Sequence, residues 1–218
     1  MRTSYQAELE RLHVDLMKMG ALIEQAITKC ITAYRNLDFA LAKQISKDDR
    51  EVNDMEKAIE SRALSLMLKQ QPVAGDLRNI SSALKVVTDM ERIGDQAADI
   101  ADLVLRFKGP SATGPHDSIF QMAEVAKAMV NRAVRAYIES DIELAEQTIA
   151  QDDEMDELFN RAKEAIIAGL KSGAGSADEF VDMLMICKYF ERIGDHSVNI
   201  CEWAEFDKTG SIHHENLI

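Results

Sequence analysis

Apolar or small side chains recur at Leu9, Leu12, Leu16, Met19, Ile23, Ala26, Cys30, Ala33 and Leu37, with spacings alternating between three and four. That period puts them on one stripe of a helix, so residues 9–37 are predicted to form a long amphipathic helix of bundle type. Asn36-Leu37-Asp38 interrupts it, and Asp38 can cap the helix that follows. A second stripe carries Leu41, Ile45, Val52, Met55, Ile59 and Leu66, with Asp48 interrupting the seam. Gln71-Pro72-Val73-Ala74-Gly75-Asp76 ends it, because proline and glycine favour a turn. A third stripe carries Ile80, Ala83, Val87, Met90, Gly94, Ala97, Ala101 and Val104, and its small middle residues let neighbouring helices come close. No strand-type alternation competes with these patterns.

After Lys108-Gly109-Pro110-Ser111-Ala112-Thr113-Gly114-Pro115 the plan starts again. Met122 to Ala145 matches Met19 to Ala42 at an offset of 103, with Ala136-Tyr137 over Ala33-Tyr34. The turn Lys171-Ser172-Gly173-Ala174-Gly175-Ser176 is three residues shorter than its counterpart, and the offset then becomes 100. Glu91-Arg92-Ile93-Gly94-Asp95 accordingly recurs as Glu191-Arg192-Ile193-Gly194-Asp195. The expected fold is all-α: two tandem, internally duplicated three-helix bundles built from six long antiparallel helices. The expected divisions are 1–107 for the first bundle, 108–117 for a linker, 118–206 for the second bundle and 207–218 for a polar tail.

Composition narrows the function classes. In the 218 residues, 46% hydrophobic and 29% charged positions suit an ordinary globular protein. No run of about 18 apolar residues is present and the N-terminus lacks a secretory pattern, so a cytoplasmic location is expected. The net charge of −13 lies mostly in the second half: residues 1–110 carry 16 Lys/Arg against 17 Asp/Glu, residues 111–218 carry 9 against 21. Nucleic acid is disfavoured as a ligand, since a phosphate backbone needs a basic footprint. Cys30, Cys187 and Cys201 sit among apolar residues and read as buried free thiols.

The candidate chemistry is acidic. At 100° per residue, Glu91, Asp95, Asp99 and Asp102 fall within an arc of roughly 80° on the third helix. Asp49, Asn53, Glu56 and Glu60 form a comparable stripe on the second helix, its antiparallel neighbour. The second unit repeats the arrangement with Asp152, Asp153 and Asp156, and with Glu191, Asp195, Asn199 and Glu202. Two acidic stripes facing one groove offer only oxygen ligands, which suit hard cations. A single acidic stripe is ordinarily a solvated face at the bundle rim, or is paired internally through Arg92 and Arg192. Its recurrence at matching positions within the best-matched stretch argues for cation binding. His196 has Gln96 as its counterpart, lies outside the duplicated plan and reads as a surface histidine. Without a P-loop, dinucleotide fingerprint or nucleophile elbow, the chain is expected not to be an enzyme.

These residues resemble the bacterial PhoU phosphate-regulatory family. Gln70-Gln71-Pro72-Val73-Ala74-Gly75-Asp76-Leu77-Arg78 looks like that family's turn between its second and third helices, and the paired Glu-Arg-Ile-Gly-Asp runs look like its duplicated acidic motif. The resemblance covers about residues 5 to 206. It implies a negative regulator of the phosphate-starvation response and of phosphate uptake. Such an adaptor works at the inner face of the membrane between the ATPase subunit of the phosphate ABC transporter and a phosphate-sensing histidine kinase, and pairs with a second copy. It also implies surface sites for iron, zinc, manganese or magnesium. By position these fall on Asp49, Asn53, Glu91, Asp95 and Asp99 in the first bundle, and on Asp152, Asp156, Glu191, Asp195 and Asn199 in the second. Asn199 standing opposite Asp99 lowers the ligand charge of the second site. The rival reading is a bundle protein for metal storage or metal-dependent catalysis. It lacks support because di-iron bundles need a Glu-x-x-His pair from each of two helices, and this chain has the single run Glu10 to His13. A purely structural helical scaffold without metal is a third reading.

Overall fold

The apolar stripes close into two bundles laid side by side. The computed structural model describes residues 2–70, 73–109, 113–212 and 215–216, so Gln71-Pro72 of the first turn and Pro110-Ser111-Ala112 of the linker lie outside the described residues. The first bundle is α1 (Arg2–Asn36), α2 (Phe39–Gln70) and α3 (Ala74–Val104), running up, down and up. The second is α4 (His116–Glu139), α5 (Ile142–Ala150), α6 (Asp152–Ser172) and α7 (Ala177–Thr209). The all-α fold of two tandem three-helix bundles is therefore as the periodicity predicts.

The duplication reaches the backbone of the turns. Leu37 and Ser140, 103 residues apart, both adopt the left-handed conformation, with φ of 51° and 53°. In each, the next residue sends its N–H back over the helix end, Asp38 to Ala33 at 3.0 Å and Asp141 to Ala136 at 2.9 Å. The aspartates then cap the next helix: Asp38 Oδ1 accepts from the Ala40 and Leu41 N–H groups, Asp141 Oδ1 from the Leu144 N–H. Such a cap contributes about 1 kcal/mol.

Three departures from expectation have local causes. The middle helix of the second bundle is broken at Gln151, where the ladder tightens to short bonds from Gln151 N–H to Thr148 and from Glu154 N–H to Gln151. Thr148 Oγ donates back to the Leu144 carbonyl at 2.7 Å, a contact that bends helices. Helix α4 begins at His116, inside the span 108–117 read as linker. Asp207 to Thr209, read as tail, complete α7, and Ser211–Ile212 pairs antiparallel with Glu215–Asn216.

The core runs unbroken through both bundles. Leu12, Leu16, Met19 and Ile23 of α1, Ile59 of α2, Met90 and Ile93 of α3, Met129 of α4 and Phe190 and Ile193 of α7 are all fully buried. Burying each such side chain contributes about 1.5–3 kcal/mol. Cys30, Cys187 and Cys201 are buried free thiols, and burial pushes each up to about 12. The bundles meet along two antiparallel crossings. Helix α3 runs against α7, with Asp89 beside Asn199, and α1 runs against α4, with Glu24 bonded to Asn131 at 2.9 Å.

Candidate functional site: two acidic clefts

Each cleft is built where a glycine lets the middle helix press against the last one. A Cβ added at Gly94 would come within 2.9 Å of Val52 Cγ1 and 3.7 Å of Asp49 Oδ1. One added at Gly194 would come within 3.0 Å of Asp152 Oδ1 and 3.4 Å of Met155 Cγ. The glycine of the repeated motif therefore earns its position through close packing: it brings the middle-helix carboxylate beside the acids that flank it on the last helix.

In the first cleft Asp49 and Asn53 face Glu91, Asp95 and Asp99. Asn53 Nδ2 donates to Asp49 Oδ2 at 3.2 Å. Asp49 Oδ1 and Asn53 Oδ1 are buried without a hydrogen-bond partner among the described residues. Burial, with Asp95 and Asp99 close by, raises the Asp49 pKa. Glu56 and Glu91 are raised likewise, by burial first and by neighbouring carboxylates second. Arg92 lies across the rim, 3.6 Å from Glu91 and 3.7 Å from Asp95. A cavity of about 50 Å³ opens behind Asp49 among Gln25, Lys29, Val52 and Gly94. Lys29 belongs to Asp48, at 2.9 Å, and not to Asp49. The cleft thus reaches deeper than a solvated rim.

In the second cleft Asp152 opens α6 and faces Gly194. Burial, then Asp195, Asp156, Glu191 and Asp153, raise its pKa to about 6. Asp156 and Asp195 are exposed at its edge. Glu191 is held by Lys188 at 2.5 Å, an ion pair that the first cleft lacks because Thr88 stands at the matching place.

Positions 99 and 199 are not used alike. Asp99 accepts a hydrogen bond from the Tyr189 hydroxyl and lies near Arg192, and its pKa is raised by burial and by Asp95 and Asp102. Asn199 donates from Nδ2 to Asp89 Oδ1 at 3.0 Å. His196 is no surface histidine: it is mostly buried, and its Nδ1 lies 2.9 Å from the same Asp89 oxygen. Asp89 and Tyr189 correspond at an offset of 100, as do Asp99 and Asn199, so the two ends of the α3–α7 crossing carry the same pairing with donor and acceptor exchanged. Asp89, Tyr189 and Lys188 were not singled out by the sequence, and Arg192 only as an ion-pair partner within its own helix. Their only signal was that 89/189 and 99/199 differ together.

The donor set fits a hard cation in kind. The first cleft offers carboxylate and amide oxygens alone, and two of them are buried acceptors without a donor. Asp49, Asn53, Glu91, Asp95 and Asp99 would hold a cation there; Asp152, Asp156, Glu191 and Asp195 would do so in the second cleft, with Asn199 drawn toward Asp89. The acids line each cleft without converging: among the described residues, no three His, Cys, Asp or Glu side chains form a ligand cluster.

The sequence matches the PhoU domain twice, over residues 16–104 and 119–204. It is 35% identical over 96% of its length to a phosphate-specific transport system accessory protein PhoU homolog of Clostridium acetobutylicum, covering 96% of that protein. Its structure is similar to the crystal structure of PhoU from Pseudomonas aeruginosa, with a TM-score of 0.90, 29% identity, and coverage of 95% of this chain and all of that one. It is also similar to that of the phosphate transport system regulatory protein PhoU from Streptococcus pneumoniae, with a TM-score of 0.89, 26% identity, and coverage of 95% and 98%.

Proposed function

The chain belongs to the PhoU family, and from that premise we propose that it is a negative regulator of phosphate uptake and of the phosphate-starvation response. It serves as a cytoplasmic adaptor between the ATPase subunit of the phosphate ABC transporter and the phosphate-sensing histidine kinase, and it pairs with a second copy of itself. Its relatives carry accessory and regulatory names and not those of enzymes. No helix among the described residues is long and apolar enough to cross a membrane. Such a protein signals by mass action: binding one partner changes the fraction available to the other by the difference in their affinities.

The acidic clefts are the second part of the reading. A metal cation, drawn from iron, zinc, manganese or magnesium, would neutralise the carboxylates and tie the middle helix of each bundle to its last helix. The observation that carries this is the pair of partnerless buried oxygens on Asp49 and Asn53, beside raised carboxylates, at a position the chain uses twice. Elemental analysis of protein purified without a His tag, together with Asp95→Ala plus Asp195→Ala, tests it. Stoichiometric metal lost in the double variant supports it. Substoichiometric metal in the parent with intact phosphate regulation in the variant removes it. Pull-down with the ATPase and the kinase tests the adaptor role separately, and failure to retain either partner defeats it.

A further inference from the structure

The α1–α4 crossing ends in the same tyrosine–histidine pair on both sides, yet only one end is sealed. Tyr137 and His13 form one pair, with ring centroids 6.2 Å apart; Tyr34 and His116 form the other, at 5.8 Å. Both residues correspond at the offset of 103. At the Tyr137 end a polar network fills the space. Ser82 Oγ lies 3.1 Å from the Tyr137 hydroxyl and donates to Asp207 Oδ1 at 2.9 Å, and Asn79 donates to Asp207 Oδ2. At the Tyr34 end Phe107 stands where Asp207 stands in the other repeat. Among the described residues the Tyr34 hydroxyl is bonded to His116 Nδ1 alone, at 2.8 Å, and His116 Nε2 is buried without a partner.

This end is hollow. A pocket of about 350 Å³ is walled by Tyr34, Phe107, His116 and Phe120, and it adjoins a wider hollow of about 540 Å³ that reaches Leu158 and Arg161. Arg35 and Phe120 border both, with the Arg35 guanidinium 4.3 Å from the Phe120 ring centre. Neither Arg35 nor Arg161 has an ion pair among the described residues, in a chain with a net charge of −13. Four of the residues here differ in kind from their counterparts: Arg35 from Ile138, Arg161 from Ala58, Phe120 from Met17 and Phe107 from Asp207. The departures from the duplicated plan thus collect aromatic faces and unpaired arginines in one place.

We infer that this junction binds a nucleoside diphosphate, with the base among Tyr34, Phe107, His116 and Phe120 and the phosphates on Arg35 and Arg161. The size suits a small organic ligand. An aromatic slot takes a planar ring by stacking, and a guanidinium takes phosphate oxygens in pairs. Glu124 and Glu154 border the wider hollow; Glu124 is held by Lys127 at 2.8 Å and Glu154 by Gln151 at 3.3 Å, and carboxylates beside a sugar accept its hydroxyls.

Isothermal titration of the full chain with ADP in EDTA, which keeps divalent metal from bridging nucleotide to the acidic clefts, tests the inference. One ADP is expected per chain, with adenosine and pyrophosphate each binding at least about tenfold more weakly. Arg35→Gln, Arg161→Gln and Phe120→Ala are each expected to weaken ADP at least about tenfold. Asp95→Asn, in the acidic cleft, leaves ADP binding unchanged, so this inference stands or falls apart from the metal reading. Both arginines are exposed, so their replacements keep the fold even if Phe120→Ala does not. The inference is overturned by absence of ADP binding, by ADP affinity unchanged in both arginine variants, or by adenosine or pyrophosphate binding as tightly as ADP.

Discussion

The two acidic clefts share one plan and differ in how their charge is balanced. In the first, Asp49 sits within the unbroken helix α2, and its inner oxygen and that of Asn53 are left without donors. In the second, the helix restarts at Asp152, Lys188 holds Glu191, and Asn199 is engaged by Asp89. A helix N-terminus favours a carboxylate by about 0.3–1 kcal/mol, which alone would depress its pKa by less than a unit. Asp152 is instead raised from 3.8 to about 6, so burial and four neighbouring carboxylates outweigh the helix end. The difference teaches that each cleft is partly neutralised by its own protein, the first by Arg92 at its rim and the second by Lys188, and that the first is set apart by the buried oxygens of Asp49 and Asn53 left without donors.

The largest expected effect separates the clefts by metal. Manganese at a hundredfold above its dissociation constant should stabilise the metal-free protein by about 2.7 kcal/mol per site. Asp95→Asn should remove more of that gain than Asp195→Asn, as calorimetric melting curves would show. Equal losses would mean that Lys188 and the engaged Asn199 make no difference.

Next comes the exchanged pair. Asn199→Asp sets a carboxylate against Asp89 and removes a donor, which should destabilise the chain by about 2 kcal/mol in urea. Adding Asp89→Asn should restore most of it. If the double variant is no better than the single one, the pairing across α3 and α7 is not the cause.

The glycines sharpen the contrast further. Gly94→Ala meets the stiff Val52 side chain at 2.9 Å and should cost about 1–2 kcal/mol, even after the helix-propensity gain. Gly194→Ala meets the Asp152 carboxylate tip at 3.0 Å, which can swing aside, and should stay within about 0.5 kcal/mol. Chemical denaturation of both variants decides whether this order holds.

The smallest effect is a pH dependence. Because the folded pKa of Asp152 is raised, its stabilising contribution is full below 3.8 and is lost as pH rises through about 6. Asp152→Asn should therefore stabilise the metal-free protein at pH 7 by about 1 kcal/mol, a figure reduced for solvent screening at this partly exposed site. It should also flatten the stability profile between pH 4 and 6. An unchanged profile would place the titrating group elsewhere.

Much of this architecture was legible in the residues. Apolar spacing gave the long helices, Asp38 announced its cap, and the offset of 103 announced the duplication. The candidate site was legible as far as its acids, since helical period puts Glu91, Asp95 and Asp99 on one stripe. Its depth was not, because the burial of Asp49 depends on Gly94 admitting a neighbouring helix. Nor was the role of His196, whose partner Asp89 lies 107 residues away.

The sequence by itself determined the helical periodicity, the capped turns and the two copies of the acidic motif. All of these are local, set by which side chains share a helix face or reach their own backbone. Only the tertiary structure decided which of those side chains face one another. It paired Asp99 with Tyr189 and Asn199 with Asp89, sealed one end of the α1–α4 crossing with Asp207, and left the other end open beside Arg35. Such contacts join residues separated by most of the chain, and nothing in one helix specifies the helix it meets until both have buried their apolar stripes against a common core.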